Sequence, residues 1–143
     1  MKLSTEVLCD DFMLFFMTVK GHMMQLAEEQ GLTPVQLAAL HALHNSGELA
    51  MGQVAEVMHC DASNVTGIVD RLVAGGLITR QESARDRRTK TLRLTDKGAA
   101  IVTRVRHTLP RVCGWDALDS TECALLHKIV QAGALVRCKR AEQ

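Results

Sequence analysis

The stretch DASNVTGIVDRLVAGGLITRQESARDRRTKTLRLTDKG, Asp61 to Gly98, decides how the rest of the chain is read. It predicts a helix from Asp61 that stops at Gly75-Gly76, a strand over 77–80, an arginine-rich loop over 81–90, a second strand over 91–94 and the start of another helix. In the first of these helices Val65, Ile68, Val69, Leu72 and Val73 recur at helical spacing and form an inner face. Ser63, Asn64, Thr66, Gly67, Asp70 and Arg71 are left outside. In the second strand Leu92 and Leu94 alternate with Thr91 and Arg93, as in a strand with one buried face. From Arg71 to Arg106 ten Lys or Arg stand against Glu82, Asp86 and Asp96, a segment charge of +7, whereas the remaining residues carry −6 and the whole chain +1. Positive charge concentrated in this way is the electrostatic footprint of a nucleic-acid contact.

Working outward, residues 51–58 read as a short helix with Val54, Ala55, Val57 and Met58 apolar, and His59-Cys60-Asp61 is a tight turn into the next helix. Two short helices so joined, the second polar on its outer face, make a helix-turn-helix, although a plain helical hairpin has the same pattern. The basic hairpin downstream decides between them, because it is placed as a wing. Upstream, Leu8, Phe12, Phe15, Val19, Met23 and Leu26 trace an apolar stripe along one helix from Ser4 to Gln30, broadened by Met13, Phe16 and Met24. A stripe this wide at the end of a small chain predicts packing against a second copy. Gly31 stops that helix, and Thr33-Pro34-Val35-Gln36 is a capping box that opens another, running to about His44 with Leu37, Leu40 and Leu43 inward before the turn Asn45-Ser46-Gly47. Downstream, Thr95 caps a helix with Asp96 in its first turn, continuing through Ile101, Val102 and Val105 until Pro110 ends or kinks it. Asp119-Ser120-Thr121-Glu122 is a second capping box, opening a last helix through Leu125, Leu126, Ile129, Val130 and Val136.

Length and composition set the bounds. With 143 residues and 47% hydrophobic content, one domain with a real core is expected; with 3% aromatics and no Tyr, aliphatic and Met side chains must build it. There is no run of 18 apolar residues and no basic-then-apolar leader, so neither a membrane span nor a secretory signal is indicated, and a cytoplasmic, nucleoid-associated protein is expected. Cys9, Cys60, Cys113, Cys123 and Cys138 are odd in number and scattered, which fits free thiols better than a disulfide framework or a zinc site. The histidines His22, His41, His44, His59, His107 and His127 are dispersed, with no Gly-rich phosphate loop or HExxH, so the chain reads as a non-enzyme without a cofactor.

The ordered set Val69-Asp70-Arg71-Leu72, Gly76-Leu77-Ile78-Thr79-Arg80, Asp86-Arg87-Arg88 and Leu92-Arg93-Leu94-Thr95-Asp96-Lys97-Gly98 resembles the MarR family of winged helix-turn-helix transcription regulators, over nearly the whole chain. The fold class is then mainly α (α+β). Within one domain over 1–143, a winged helix-turn-helix occupies 32–98, with its helix-turn-helix at about 51–75 and its wing at 77–95, and 1–31 and 99–143 supply dimerisation helices. The resemblance implies an obligate homodimer of triangular shape on double-stranded DNA, with recognition helices in successive major grooves of a palindromic operator and wings in the flanking minor grooves. On that basis Ser63, Asn64, Thr66, Gly67, Arg71, Arg85, Arg87, Arg88 and Lys90 are the DNA-binding candidates. Asn64 suits a bidentate contact to adenine, and Arg88, placed at the wing tip by the family motif, suits a narrow minor groove. Arg71 is open to two readings, a phosphate or guanine contact and an ion pair with a wing acid such as Asp86.

Three sensing routes are legible. Met23, Leu26, Leu37, Leu40 and His41 would line an apolar cleft between the first, second and fifth helices, with His41 or His44 orienting a small aromatic or phenolic effector. Cys9 falls where the hydroperoxide-sensing members of the family keep a reactive cysteine, with Cys113 of a partner subunit as resolving thiol; yet Asp10 and Asp11 oppose a thiolate and the tyrosines of those members are missing. A metal route would use His41, His44 and His107, but an i, i+3 histidine pair is far more often a solvated helix edge, and no metal is assigned. Repression relieved by a small ligand is the expected function, with a redox repressor as the alternative.

Overall fold

The computed structural model describes residues 4–58, 60–83 and 89–141. The chain divides into two compact units, Met1–Leu109 and Pro110–Gln143. In the first unit helix α1 (Thr5–Glu29) begins where the Ser4 hydroxyl accepts from the Val7 N–H at 3.3 Å. Helix α2 (Pro34–Ser46) opens on the expected capping box: the Gln36 N–H donates to Thr33 Oγ1 at 3.3 Å while the Thr33 N–H donates to Gln36 Oε1 at 2.9 Å. A two-residue strand β1 (Leu49–Ala50) leads into α3 (Met51–Met58), and α4 (Ala62–Ala74) follows with Asp61 at its N-cap. The hairpin is β2 (Ile78–Glu82) and β3 (Lys90–Leu94), succeeded by α5 (Asp96–Val112). The second unit holds a 3-10 turn at Trp115–Ala117 and α6 (Ser120–Ala141), whose start is capped by Asp119 Oδ1 accepting from Thr121 and Glu122 N–H.

The three strands form one antiparallel sheet in the order β1-β3-β2, with Leu49 opposite Leu92 and Arg80 opposite Leu92 on the other side. One core lies under the sheet and helices α2, α3 and α4, built from Leu40, Leu43, Val54, Val65, Val69 and Leu72 with Ile78, Leu92 and Val102. A second, smaller core joins Leu26, Ala27, Leu37 and Val105. Both are aliphatic, as a chain without tyrosine requires. Among the described residues, the fourteen buried Leu, Ile and Val side chains each contribute roughly 1.5–3 kcal/mol relative to exposure.

Several elements depart from expectation. Each hairpin strand is longer towards the loop, because Gln81 pairs with Thr91 and Glu82 with Lys90. Strand β1 was not expected; it is too short to carry an alternation pattern, but it makes β3 the central strand. Thr91, read as an outward position, is therefore buried at 5% exposure. Helix α2 runs two residues past His44. Helix α5 runs through Pro110 to Val112, so the proline lies inside its last turn and does not end it. The 3-10 turn at Trp115–Ala117 was not expected either. Arg85, Asp86, Arg87 and Arg88 of the wing and His59 of the turn lie outside the described residues, as do the side chains of residues 133–141, Val136 and Cys138 among them. Among the described residues no helix is long and apolar enough to cross a membrane.

Candidate nucleic-acid interface

Helix α4 sorts its residues as an interface helix must. Val65, Val69 and Leu72 are each 1% exposed, anchoring one face, while Ser63, Asn64, Thr66, Gly67, Asp70 and Arg71 are all exposed on the other. Nothing lies within 4 Å of a Cβ built on Gly67, so the outer surface there is open to an approaching groove wall. Ser63, Asn64, Gly67 and Arg71 share a groove of about 480 Å³ with Thr33 and Val35 at the start of α2. Sequence reasoning missed those two residues. Val35 is 42% exposed and apolar, a signal available in the sequence only once α2 is known to start beside α4. Cys60 lines the same groove, half-buried, its thiol donating to the Met58 carbonyl at 3.3 Å.

The end of α4 and the start of α5 are locked to one another. Gly76 adopts φ 69°, a left-handed conformation that lets the Leu77 N–H return to the Leu72 carbonyl at 2.9 Å. The Thr95 hydroxyl donates to the Gly76 carbonyl at 2.7 Å and accepts from the Gly98 N–H at 3.1 Å, and Lys97 Nζ donates to the Gly75 carbonyl at 3.0 Å. Gly98 packs so closely that an added Cβ would sit 2.1 Å from the Leu77 oxygen. The Leu94-Thr95-Asp96-Lys97-Gly98 motif is thus the clamp that fixes the hairpin beside the recognition helix.

Much of the segment's positive charge is engaged within the chain. Arg80 on β2 pairs with Asp70 on the outer face of α4, Arg93 on β3 with Glu48 at 3.0 Å, Arg104 with Gln30 at 2.9 Å, and Arg106 with the His44 ring. The Arg80–Asp70 pair was not foreseen; it ties wing to recognition helix across a surface where an exposed pair is worth roughly 0–1 kcal/mol, so its effect is orientation more than stability. Arg71 is exposed on α4 and Lys90 on β3, while the Asp86 considered as a partner for Arg71 lies outside the described residues.

The expected effector lining is placed differently. Leu26, Leu37 and Leu40 are at 8%, 1% and 0% exposure and are core side chains: Leu26 of α1 and Leu37 of α2 pack with Val105 of α5, with Met23 half-buried against them, and Leu40 belongs to the core under the sheet, α3 and α4. His41 is exposed, and its pKa is lowered by partial burial first, then by the charges of Arg106 and His44. His44 opens instead on a cavity of about 310 Å³ shared with Thr103, Arg106 and His107. Among the described residues no three His, Cys, Asp or Glu side chains come together to hold a metal, so His41, His44 and His107 do not assemble as a set. Cys9 is exposed on α1. Cys113 is half-buried, and burial pushes its thiol pKa up.

A helix-turn-helix followed by an antiparallel hairpin, clamped to the recognition helix and carrying a polar outer face, defines the winged helix-turn-helix class of DNA-binding fold. A model of the MarR family matches residues 30–89. The chain is similar to the HTH-type transcriptional repressor MdtR of Bacillus subtilis (strain 168), 37% identical over 99 residues that make up 66% of this chain and 64% of that protein. It is also similar to the crystal structure of YusO from Bacillus subtilis, at 30% identity with a TM-score of 0.64, covering 93% of this chain and 99% of that one. A MarR mutant from E. coli complexed with operator DNA shares the fold, at 21% identity with a TM-score of 0.65 over 87% of this chain and 91% of that one. The chain belongs to the MarR family of winged helix-turn-helix transcription regulators. It spans between 41% and 64% of the length of six curated relatives that it matches.

Proposed function

We propose that this protein is a repressor that binds a palindromic operator as a homodimer and is released by a small ligand. The observation that carries the DNA-binding part is the division of α4, with Val65, Val69 and Leu72 buried while Ser63, Asn64, Gly67 and Arg71 stand exposed along a single groove. Short hydrogen-bonding side chains on that face reach base edges, and the basic wing supplies phosphate and minor-groove contacts. MdtR is named a repressor and the E. coli MarR mutant is bound to operator DNA, which supports the same role here. The ligand route is favoured over the oxidant route because burial raises the Cys113 thiol and so opposes the thiolate that resolution needs. The cavity at His44 is where that ligand would be oriented; a small aromatic or phenolic compound remains the class to screen.

The test is binding to a palindromic duplex selected from a random pool, with half-sites about 10 base pairs apart. Asn64→Ala is expected to lose about 1–3 kcal/mol of discrimination at one base pair, while Arg87→Ala and Arg88→Ala weaken binding to all sequences and each lower the salt slope by about one. Wild-type affinity and slope in all three variants would sink the assignment. Cys9→Ser separates the release routes: a ligand-gated repressor keeps its full response, whereas a peroxide-gated one stays on DNA under peroxide.

A further inference from the structure

The groove beside the outer face of α4 holds about 480 Å³ and is lined mostly by apolar surface. Cys60 and Ile68 reach it from the main core, against which both are half-buried, so folding accounts for their place. Val35 is different: it is 42% exposed and belongs to neither core. Its backbone is nonetheless fixed, because it lies inside the capping box closed by Thr33 and Gln36 and follows Pro34 in the first turn of α2. A β-branched side chain on such a backbone has few rotamers, so little freedom is lost when a partner covers it.

The other residues of the groove name that partner. Ser63, Asn64 and Arg71 stand along it, Gly67 leaves it open between them, and among the described residues no carboxylate lines it. A cationic, carboxylate-free groove shared with the base-reading face is matched by the DNA that this face contacts. Base edges in the major groove are polar save for one apolar group, the C5-methyl of thymine. We infer that Val35 is a specificity-determining residue that contacts this methyl, on a thymine of each half-site close to the base that Asn64 contacts. The inference rests on the proposed operator-binding function and deepens it, by adding a residue of α2 to the base-reading surface of α4.

The test replaces each thymine of the selected operator duplex by uracil, one at a time, which removes the methyl and leaves every hydrogen-bonding group in place. Affinities of the full wild-type chain, Val35→Ser and Val35→Ile are measured at one salt concentration. Expected in wild type is a loss of about fourfold at one thymine in each half-site, the factor carried by one buried methyl-sized group. Val35→Ser no longer distinguishes uracil from thymine at that position, whereas Val35→Ile keeps the distinction. Both substitutions fall at an exposed position, so neither disturbs a core. The contact is overturned if no replacement matters in wild type, if Val35→Ser retains the uracil effect, or if Val35→Ser weakens thymine and uracil duplexes alike, as a contact to deoxyribose does. A wild-type chain that binds no selected duplex removes the operator-binding reading itself, and this contact with it.

Discussion

Gly98 shows how a single residue couples the reading head to the body. Its amide is held by the Thr95 hydroxyl, and its missing side chain leaves room for the Leu77 carbonyl, which itself accepts from the Thr95 N–H at 3.0 Å. A Cβ at this position would lie 2.1 Å from the Leu77 oxygen and 3.2 Å from Leu94 Cδ2. The oxygen belongs to backbone fixed by that hydrogen bond, so it has nowhere to yield. Gly98→Ala is therefore expected to destabilise the protein by about 1–3 kcal/mol or more, read as a lower urea midpoint. An unchanged midpoint would show that the clamp is slack.

At the scale of elements, the seam between α2 and α5 is the most charge-sensitive joint. Arg106 on α5 donates to Nε2 of His44 on α2, and His41 lies one turn earlier on α2. The His41 pKa is lowered from its usual 6.5 by partial burial, Arg106 and His44, so folding favours its neutral form. Its contribution to stability is fully present above about pH 6.5 and is lost as pH falls from there through the lowered folded value, because in that window the unfolded chain binds more protons. Melting temperatures followed from pH 8 down to about pH 5 are expected to fall further in wild type than in His41→Gln; parallel curves would remove His41 from the account. In the sheet, the central position of β3 buries Thr91 and Leu92 alike, and this is why the alternation read from the second strand did not persist to its start.

For the whole molecule the unbalanced feature is α1. Leu8, Phe12 and Phe16 on one face of α1 are 54%, 61% and 52% exposed, and Met13, Met17 and Leu14 around the helix are 55%, 65% and 66% exposed, whereas Leu26 near the other end of the helix is 8% exposed. A contiguous apolar patch of this kind is rare on a monomer and marks an interaction surface. If a second copy covers it, as proposed, sedimentation will show a dimer. The double substitution Phe12→Glu and Met17→Glu, at positions that contribute nothing to either core, is expected to leave a folded monomer with weakened binding to a two-half-site operator. A variant that still sediments as a dimer would place the interface elsewhere.

The sequence by itself determined the elements, because their causes are local. The Thr33–Gln36 capping box, the Gly75-Gly76 stop, the buried and exposed faces of α4 and the second capping box at Asp119 each depend on residues within a few positions of one another. The same locality made the DNA-facing candidates Ser63, Asn64, Gly67 and Arg71 legible, since a 3.6-residue period assigns them to one face. Only the tertiary structure decided which of the basic residues are engaged inside the chain, that Leu26, Leu37 and Leu40 are core, that β1 exists, and that Thr91 is buried. Those outcomes join residues as far apart as Glu48 and Arg93 or Gln30 and Arg104, and no periodicity along a chain encodes the partner that a side chain meets after folding.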